Sequence, residues 1–178
     1  MIIKSKKWLN YSIWAIAVLF VLMNLVAIFH AYQFTHFSQE HTIKTNSPKK
    51  LNIGQKISTL IFGVSNPRPK NEHIPPNTFQ AITLQSNKEI ACWNIEVKKS
   101  KGTVILFHGF SGEKSSLLGQ SAVFNELGYS TFLVDFMGCG GSEGKQTTIG
   151  FFEAEQVTTA FEYIQKKGVK TTYLYGSS

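Results

Sequence analysis

The chain begins with a long stretch in which hydrophobic residues would occupy every face of a helix rather than one. No Lys, Arg, Asp or Glu occurs from Trp8 to Phe34. About 20 apolar residues, at roughly 1.5 Å each, are enough to cross the hydrocarbon core of a bilayer. A core helix of a globular protein is seldom apolar on all sides over such a length. The pattern therefore predicts a transmembrane anchor over residues 8–34, with the lipid bilayer as a partner.

A cleaved signal peptide is the alternative to a retained anchor. Its apolar core would be shorter, and small residues would follow it at a processing site, a pattern that residues 27–31 match poorly. Lys4, Lys6 and Lys7 favour a cytoplasmic N terminus. We therefore expect a single-pass membrane protein whose remaining chain lies on the periplasmic or extracytoplasmic side.

A proline-rich segment follows the predicted anchor. All five prolines lie between residues 48 and 76, a composition that is typical of a linker. We place this linker at 35–78, after the basic flank at 1–7 and the anchor. Hydrophobic residues recur at helical spacing from Gln55 to Val64. This spacing predicts a short amphipathic helix that packs on the domain or lies on the bilayer, and packing on the domain is favoured.

From residue 79 onward the pattern alternates between strands and helices. Two strands, at 79–85 and 89–97, are joined by a short polar turn. The later elements are an apolar strand, a helix capped by Ser115, a strand, a helix and a final strand, at 103–107, 115–127, 130–134, 151–167 and 171–175. This order predicts an α/β domain over 79–178: a mostly parallel sheet with an antiparallel edge hairpin and helices on both faces.

The positive charge of the chain belongs to its N-terminal part. Residues 1–78 carry nine Lys or Arg and two Glu, whereas residues 79–178 carry nine Lys and nine acidic residues. A nucleic-acid-binding domain would carry its basic residues on the folded part. We therefore predict no nucleic-acid partner and assign the excess charge to the flanks of a membrane segment.

The two cysteines place few constraints on function. Cys92 and Cys139 are too few for a disulfide scaffold in a chain of 178 residues, and they match no metal-binding spacing. We expect two buried thiols, although a single bridge between them stays open. No metal or other cofactor is predicted.

Three loops leave the carboxyl ends of predicted parallel strands, where the working residues of open α/β sheets collect. They are His108-Gly109-Phe110, the stretch from Asp135 to Ser142, and Gly176-Ser177-Ser178 at the end of the printed sequence. A glycine in the first loop lets the backbone approach a ligand, and an amide there can stabilise an oxyanion by roughly 3 kcal/mol. We assign that role to the backbone N–H of Phe110 and a structural role to His108.

The glycines of the second loop, Gly138 and Gly140, invite comparison with nucleotide-binding motifs. Glu143 occupies the place of the third glycine in G-x-G-x-x-G, and Gln146 stands where a P-loop needs Ser or Thr. Both motifs therefore fail at specific positions, and nucleotide binding is disfavoured.

These motifs together resemble the N-terminal half of the α/β-hydrolase superfamily. The likeness is carried by His108-Gly109-Phe110, Asp135-x-x-Gly138-x-Gly140-x-Ser142 and Tyr175-Gly176-Ser177-Ser178. It is strongest for the branch of serine aminopeptidases and lysophospholipase-like esterases, and the anchor and linker resemble bacterial membrane-anchored members. The resemblance implies that Ser178 is the nucleophile of a G-x-S-x-G elbow, that Phe110 supplies one oxyanion donor, and that the other motif residues support them.

The resemblance also implies that an acid and a histidine follow the nucleophile, and the printed sequence has neither after Ser178. Asp135, the only Asp, lies on the wrong loop for this acid and is expected to stabilise its own glycine turn. We therefore expect a fragment, cut at the elbow, that has no activity alone because its serine lacks a positioned base. Two functions remain: a membrane-anchored serine hydrolase of acyl esters or peptides, and a non-catalytic α/β module for binding or scaffolding at the membrane.

Overall fold

The computed structural model describes residues 2–38 and 43–177. Its first element is a helix, α1 (Ile2–Thr35). The stretch Lys7–Thr35 is long and apolar enough to cross a membrane, and none of its side chains is buried within the protein. A helix that is apolar on every side needs a non-aqueous environment around it. The length and composition of α1 agree with the predicted anchor.

The segment after α1 is bound to the domain from its first residues. The carbonyl of Thr35 accepts a hydrogen bond from the Thr147 N–H (2.9 Å), and the Phe37 N–H donates to the Lys145 carbonyl (2.8 Å). The Phe37 side chain is buried. The linker predicted from the prolines is therefore fixed to the domain where it leaves α1.

A second helix, α2 (Ile53–Phe62), lies within the linker. Its start is set by a capping box in which Asn52 and Gln55 exchange hydrogen bonds between side chain and backbone. The helix ends at Gly63, where a Cβ would lie 3.3 Å from the Cβ of Gln33 in α1. None of its side chains is buried. The expected packing of this helix on the domain is therefore not seen, and its end lies against α1 instead.

Five strands form one mixed sheet in the order β1-β2-β4-β3-β5. Their bounds are β1 (Gln80–Gln85), β2 (Glu89–Ile95), β3 (Thr103–Phe107), β4 (Ser130–Val134) and β5 (Thr172–Gly176). β3 is parallel to both β4 and β5, whereas β1 pairs with β2, and β2 with β4, in antiparallel register. The predicted α/β sheet with an antiparallel edge hairpin is confirmed.

Helices cover both faces of this sheet. α3 (Leu118–Glu126) and α4 (Glu153–Lys166) belong to two separate hydrophobic clusters. Alternate residues of β3 enter each cluster, so that Ile105 meets the side of α4 and Leu106 the side of α3. Every residue of β3 and β4 is buried, as expected for apolar strands that are covered on both faces.

The first helix of the domain begins differently from the prediction. A 3-10 turn (Lys114–Leu117) precedes α3, and its cap is Glu113 rather than Ser115. The Glu113 carboxylate accepts hydrogen bonds from the N–H groups of Ser115 (2.5 Å) and Ser116 (3.2 Å). A carboxylate is favoured there because it satisfies free amides and complements the helix dipole.

Candidate active site

The carboxyl ends of β3 and β5 lie side by side. Phe107 is in register with Gly176, and the Ser177 N–H donates to the Phe107 carbonyl (2.9 Å). The loop that begins at His108 therefore starts next to the segment that follows β5. Ser178, the predicted nucleophile, lies outside the described residues and comes directly after Ser177 in the chain.

Phe110 lies in a tight turn of this loop. The turn is closed by a hydrogen bond from the Gly112 N–H to the Gly109 carbonyl (3.1 Å), and Ser111 adopts a positive φ of 54°. Among residues 2–38 and 43–177, none accepts a hydrogen bond from the Phe110 N–H. An amide that has no acceptor in the described part of the chain and lies beside the end of β5 is suited to bind an oxyanion.

The Phe110 side chain joins the loop to α1. It is 48% exposed and stacks on the ring of Phe34 in α1, with ring centroids 4.5 Å apart and an interplanar angle of 11°. The loop that carries the candidate oxyanion donor is thus in direct contact with the last turn of α1.

His108 has the contacts of a structural residue. Its Nε2 accepts a hydrogen bond from the Phe136 N–H (3.0 Å), and its Nδ1 lies 2.8 Å from the Gly109 carbonyl oxygen. Because an amide only donates and a carbonyl only accepts, this pairing places the proton on Nδ1 and leaves the ring neutral. Burial lowers the pKa of His108 and reinforces the neutral state. With both nitrogens in use, the ring ties the loop after β3 to the loop after β4.

Asp135 is fully buried and surrounded by donors. Its carboxylate accepts hydrogen bonds from the Lys114 N–H (2.6 Å), the Asn71 amide (2.8 Å) and the Gly141 N–H (2.8 Å), and it forms an ion pair with the Lys114 ammonium. The contact with its own glycine turn agrees with the sequence analysis. Lys114 and Asn71 were missed, since they lie 21 and 64 residues away in the chain with no motif to connect them.

The glycines of the second loop are required by packing inside the protein. A Cβ on Gly140 would lie 2.0 Å from a carboxylate oxygen of Asp135, and one on Gly138 would lie 2.5 Å from the Gln146 carbonyl. Both glycines also have a positive φ, which disfavours other residues. Ser142 completes the loop by donating to the Asp135 carbonyl (2.7 Å). These residues therefore set the shape of the loop after β4, which lies beside the loop after β3.

An apolar cavity of about 350 Å³ opens beside the Phe110 loop, a size that is typical of small-ligand sites. Residues from the linker, both loops and α4 line it, among them Phe37, Phe110, Phe136, Met137, Ile149 and Val157. No sequence pattern indicated that Phe37 would line a cavity, because this residue was assigned to a linker. A larger hollow of about 510 Å³ lies near Thr103 and Ser130, at the opposite end of the strands from the candidate site.

Cys139 also lines the cavity, and its environment makes it unreactive. Burial raises the pKa of the thiol to about 12, so that it stays protonated at neutral pH. Cys92 is likewise a buried free thiol, and the two cysteines are not bridged.

One wall of the cavity is held in place by Glu153, a residue that no sequence motif indicated. Its carboxylate accepts hydrogen bonds from the Thr147 hydroxyl (2.6 Å) and from the N–H groups of Thr148 (2.9 Å) and Gly150 (2.9 Å). These bonds fix the loop that presents Ile149 to the cavity.

Comparisons with known proteins place the domain among known folds. No protein-family model and no curated protein matches the chain. Among solved structures, it resembles an esterase of Pyrococcus furiosus, with 21% identity and a TM-score of 0.54 over 62% of this chain and 47% of the esterase. The α/β hydrolase GrgF from Penicillium sp. shows 19% identity and a TM-score of 0.52 over 56% of this chain and 37% of GrgF.

A third structure, Est1E from Butyrivibrio proteoclasticus with bound ferulic acid, shows 22% identity and a TM-score of 0.51 over 55% of this chain and 43% of Est1E. The domain therefore has the α/β-hydrolase fold, as the resemblance in the sequence predicted. The chain spans less than half the length of each of these three proteins.

Proposed function

We propose that this protein is a membrane-anchored serine hydrolase that acts on acyl esters or peptides, with Ser178 as its nucleophile. The observation that carries the proposal is the pairing of β3 with β5. The hydrogen bond from Ser177 to Phe107 brings the residue before Ser178 to the start of the loop that carries the Phe110 N–H, which has no acceptor among the described residues. A nucleophile and an oxyanion donor from adjacent parallel strands are two of the parts that acyl transfer needs at one sheet edge.

The reaction would follow the usual course of acyl transfer. The Ser178 oxygen attacks the carbonyl carbon of the substrate, and the N–H of Phe110 binds the resulting oxyanion. The serine proton passes to a base and from it to the leaving alcohol or amine, and water then releases the acyl group. The second oxyanion donor is expected at the residue after Ser178.

His108 and Asp135 are not available as the base, and the Glu153 carboxylate in the cavity wall is committed to Thr147, Thr148 and Gly150. Both nitrogens of His108 are occupied by backbone groups, and Asp135 is committed to Lys114, Asn71 and Gly141. The base must therefore be another residue, which the resemblance places after Ser178. We accordingly propose that the printed polypeptide of 178 residues is inactive alone.

The cavity favours esters over peptides. Its lining is apolar and it opens beside Phe110, so that an acyl chain could fill it without leaving polar groups unpaired. A peptide backbone would need hydrogen-bonding partners that these walls offer sparsely. Acyl esters are therefore the preferred substrate class.

The proposal is tested by ester hydrolysis in the membrane fraction of cells that make the protein together with any residues encoded after Ser178. We expect turnover of p-nitrophenyl butyrate that Ser178→Ala lowers by at least about a thousandfold. Ser177→Ala is the matched control and should retain activity, because the bond to Phe107 comes from the backbone of Ser177. Turnover that survives Ser178→Ala would overturn the proposal. An absence of turnover in both proteins would favour the non-catalytic binding module. Activity of the 178-residue polypeptide would refute its proposed inactivity.

A further inference from the structure

We propose that the mouth of the cavity lies on the bilayer surface and that the acyl ligand enters it from the membrane rather than from water. The identity of the ligand rests on the hydrolase function proposed above. The contact with the bilayer rests on a separate observation, namely how the end of α1 is built into the cavity.

The last turn of α1 and the residues after it form part of the cavity wall. Phe34 stacks on Phe110, and three residues later Phe37 is buried in the lining. Between them, the Thr35 carbonyl accepts a hydrogen bond from the N–H of Thr147, another residue of the cavity lining. A membrane helix that merely tethered the domain would need none of these contacts.

The length of α1 sets the depth of this junction in the membrane. The apolar stretch Lys7–Thr35 has 29 residues. At 1.5 Å per residue it is roughly 43 Å long, which matches a bilayer of about 40–45 Å with its headgroups. Phe34 and Thr35 therefore lie at the interfacial region when α1 spans the membrane, and the cavity mouth lies there with them.

The rim of the mouth is apolar and exposed. Ile149, which is 62% exposed, and Phe110, which is 48% exposed, line the cavity, and Phe151, which is 78% exposed, directly follows the lining residue Gly150. We call these three residues the rim. Clustered aromatic and aliphatic side chains of this kind mark contact surfaces rather than water-facing ones, and aromatic residues are favoured at the membrane interface. The rim is continuous with α1 through the stack of Phe110 on Phe34.

The helix α2 ends against the last turns of α1. Its end at Gly63 lies against Gln33, one residue before Phe34. Its apolar side chains Ile57, Leu60 and Phe62 are exposed, while Lys56 provides a cation on the same helix. An amphipathic helix of this composition is suited to lie in the interface of an anionic membrane. The end of α2 thus lies against the last turns of α1, next to the stack of Phe34 on Phe110.

A cavity that opens onto lipid favours ligands that partition from water into the bilayer. Acyl chains that are dissolved in the bilayer reach the mouth at high local concentration and can slide from lipid into an apolar cavity without crossing water. Short, water-soluble esters have no such advantage. The substrate class that fits this geometry is therefore a membrane-dissolved acyl lipid.

The membrane contact is tested with spin labels on the full chain in proteoliposomes that contain anionic lipid. Labels are placed at Ile149→Cys and Phe151→Cys on the rim, and at Val123→Cys, which is 55% exposed on α3, as the matched control. A fourth label at Ile16→Cys reports α1 itself. Cys92 and Cys139 are buried, so the unsubstituted chain should take up little label.

We expect the rim labels and the Ile16→Cys label to collide with oxygen more than with a water-soluble nickel complex, and the Val123→Cys label to show the reverse. Rim labels that behave like the α3 control would overturn the proposal, as would rim labels shielded from both reagents by a protein partner. A water-exposed Ile16→Cys label would overturn it together with the anchor. Because no arm measures catalysis, failure here is distinct from failure of the hydrolase function.

The entry of the acyl chain is tested by photocrosslinking from the same membranes. Vesicles that contain a lysophospholipid with a diazirine in its acyl chain should label peptides of the cavity wall. Val157→Trp fills the cavity and should reduce this labelling several-fold, whereas Thr158→Trp, on the exposed side of α4, should not. Equal labelling in the two variants would overturn the proposed route.

Discussion

The buried pair of Asp135 and Lys114 shows how a single charged residue organises the loops of the site. The carboxylate receives hydrogen bonds from the Lys114 backbone, from Asn71 and from Gly141, and so joins the linker, the turn before α3 and the loop after β4. The Lys114 ammonium also lies 4.4 Å from the ring centroid of Trp93. Only the contact with Gly141 could be predicted, because it lies within one loop.

Replacing Asp135 with Asn should destabilise the fold strongly. The substitution leaves the Lys114 ammonium buried without its counter-ion, and an unpaired buried charge costs about 3–5 kcal/mol. The free energy of unfolding is measured by urea titration of the full chain in detergent micelles.

Glu143→Gln is the matched control for this substitution. It removes the partner of Lys88 in an exposed ion pair with an N–O distance of 3.4 Å, and such pairs contribute less than about 1 kcal/mol. An Asp135→Asn variant no less stable than this control would show that the buried pair does not hold the loops.

At the scale of the elements, the strands were predictable, but the start of a helix and the partner on which a helix packs were not. Apolar runs define β3 and β4 within the predicted bounds, because burial on both faces leaves a local mark in the sequence. The predicted start of the helical region before α3 was wrong, since the Glu113 side chain caps this region earlier than Ser115 could. The predicted packing of α2 on the domain was also wrong, because amphipathic spacing reveals an apolar face but not its partner.

The loop over residues 147–150 is held by the Glu153 carboxylate, and the stabilisation that this carboxylate provides should decrease in acid. Burial alone would raise the pKa of Glu153, but hydrogen bonds from Thr147 and Thr148 outweigh burial and lower it. The folded protein therefore binds this proton less readily than the unfolded chain. The stabilisation is complete above the unfolded pKa of about 4.3 and is lost as the pH falls through the lower folded pKa.

Glu153→Gln should release the same loop at neutral pH. Hydrogen bonds to a charged group contribute about 1.5–3 kcal/mol each, so the amides of Thr148 and Gly150 should exchange faster with solvent deuterium. Glu155→Gln removes a charge from the same turn of α4 without these bonds, and its exchange at 147–150 should match that of the unsubstituted protein. Equal exchange in both variants would contradict the role of Glu153.

At the scale of the whole molecule, the sheet brings together what the sequence only implied. The order of elements predicts parallel strands whose loops share one edge, and the structure places β3 directly beside β5. The docking of α1 on this edge was not predicted. Phe37 and Lys145 are far apart in the chain, and nothing in their spacing connects them. The helix α1 is thus part of the architecture of the site, and its removal should open one wall of the cavity.

The central claim is that Ser178 is the nucleophile of a hydrolase at this edge, and a fluorophosphonate probe tests it most directly. The probe is applied to native membranes that contain the protein, and the modified residue is identified by mass spectrometry in the peptide that begins at Thr171. We predict a phosphonyl group on Ser178 and none on Ser177, because only a serine with a positioned base and oxyanion donors reacts. An adduct on another residue, or no adduct in membranes that hydrolyse ester through this protein, would contradict the account.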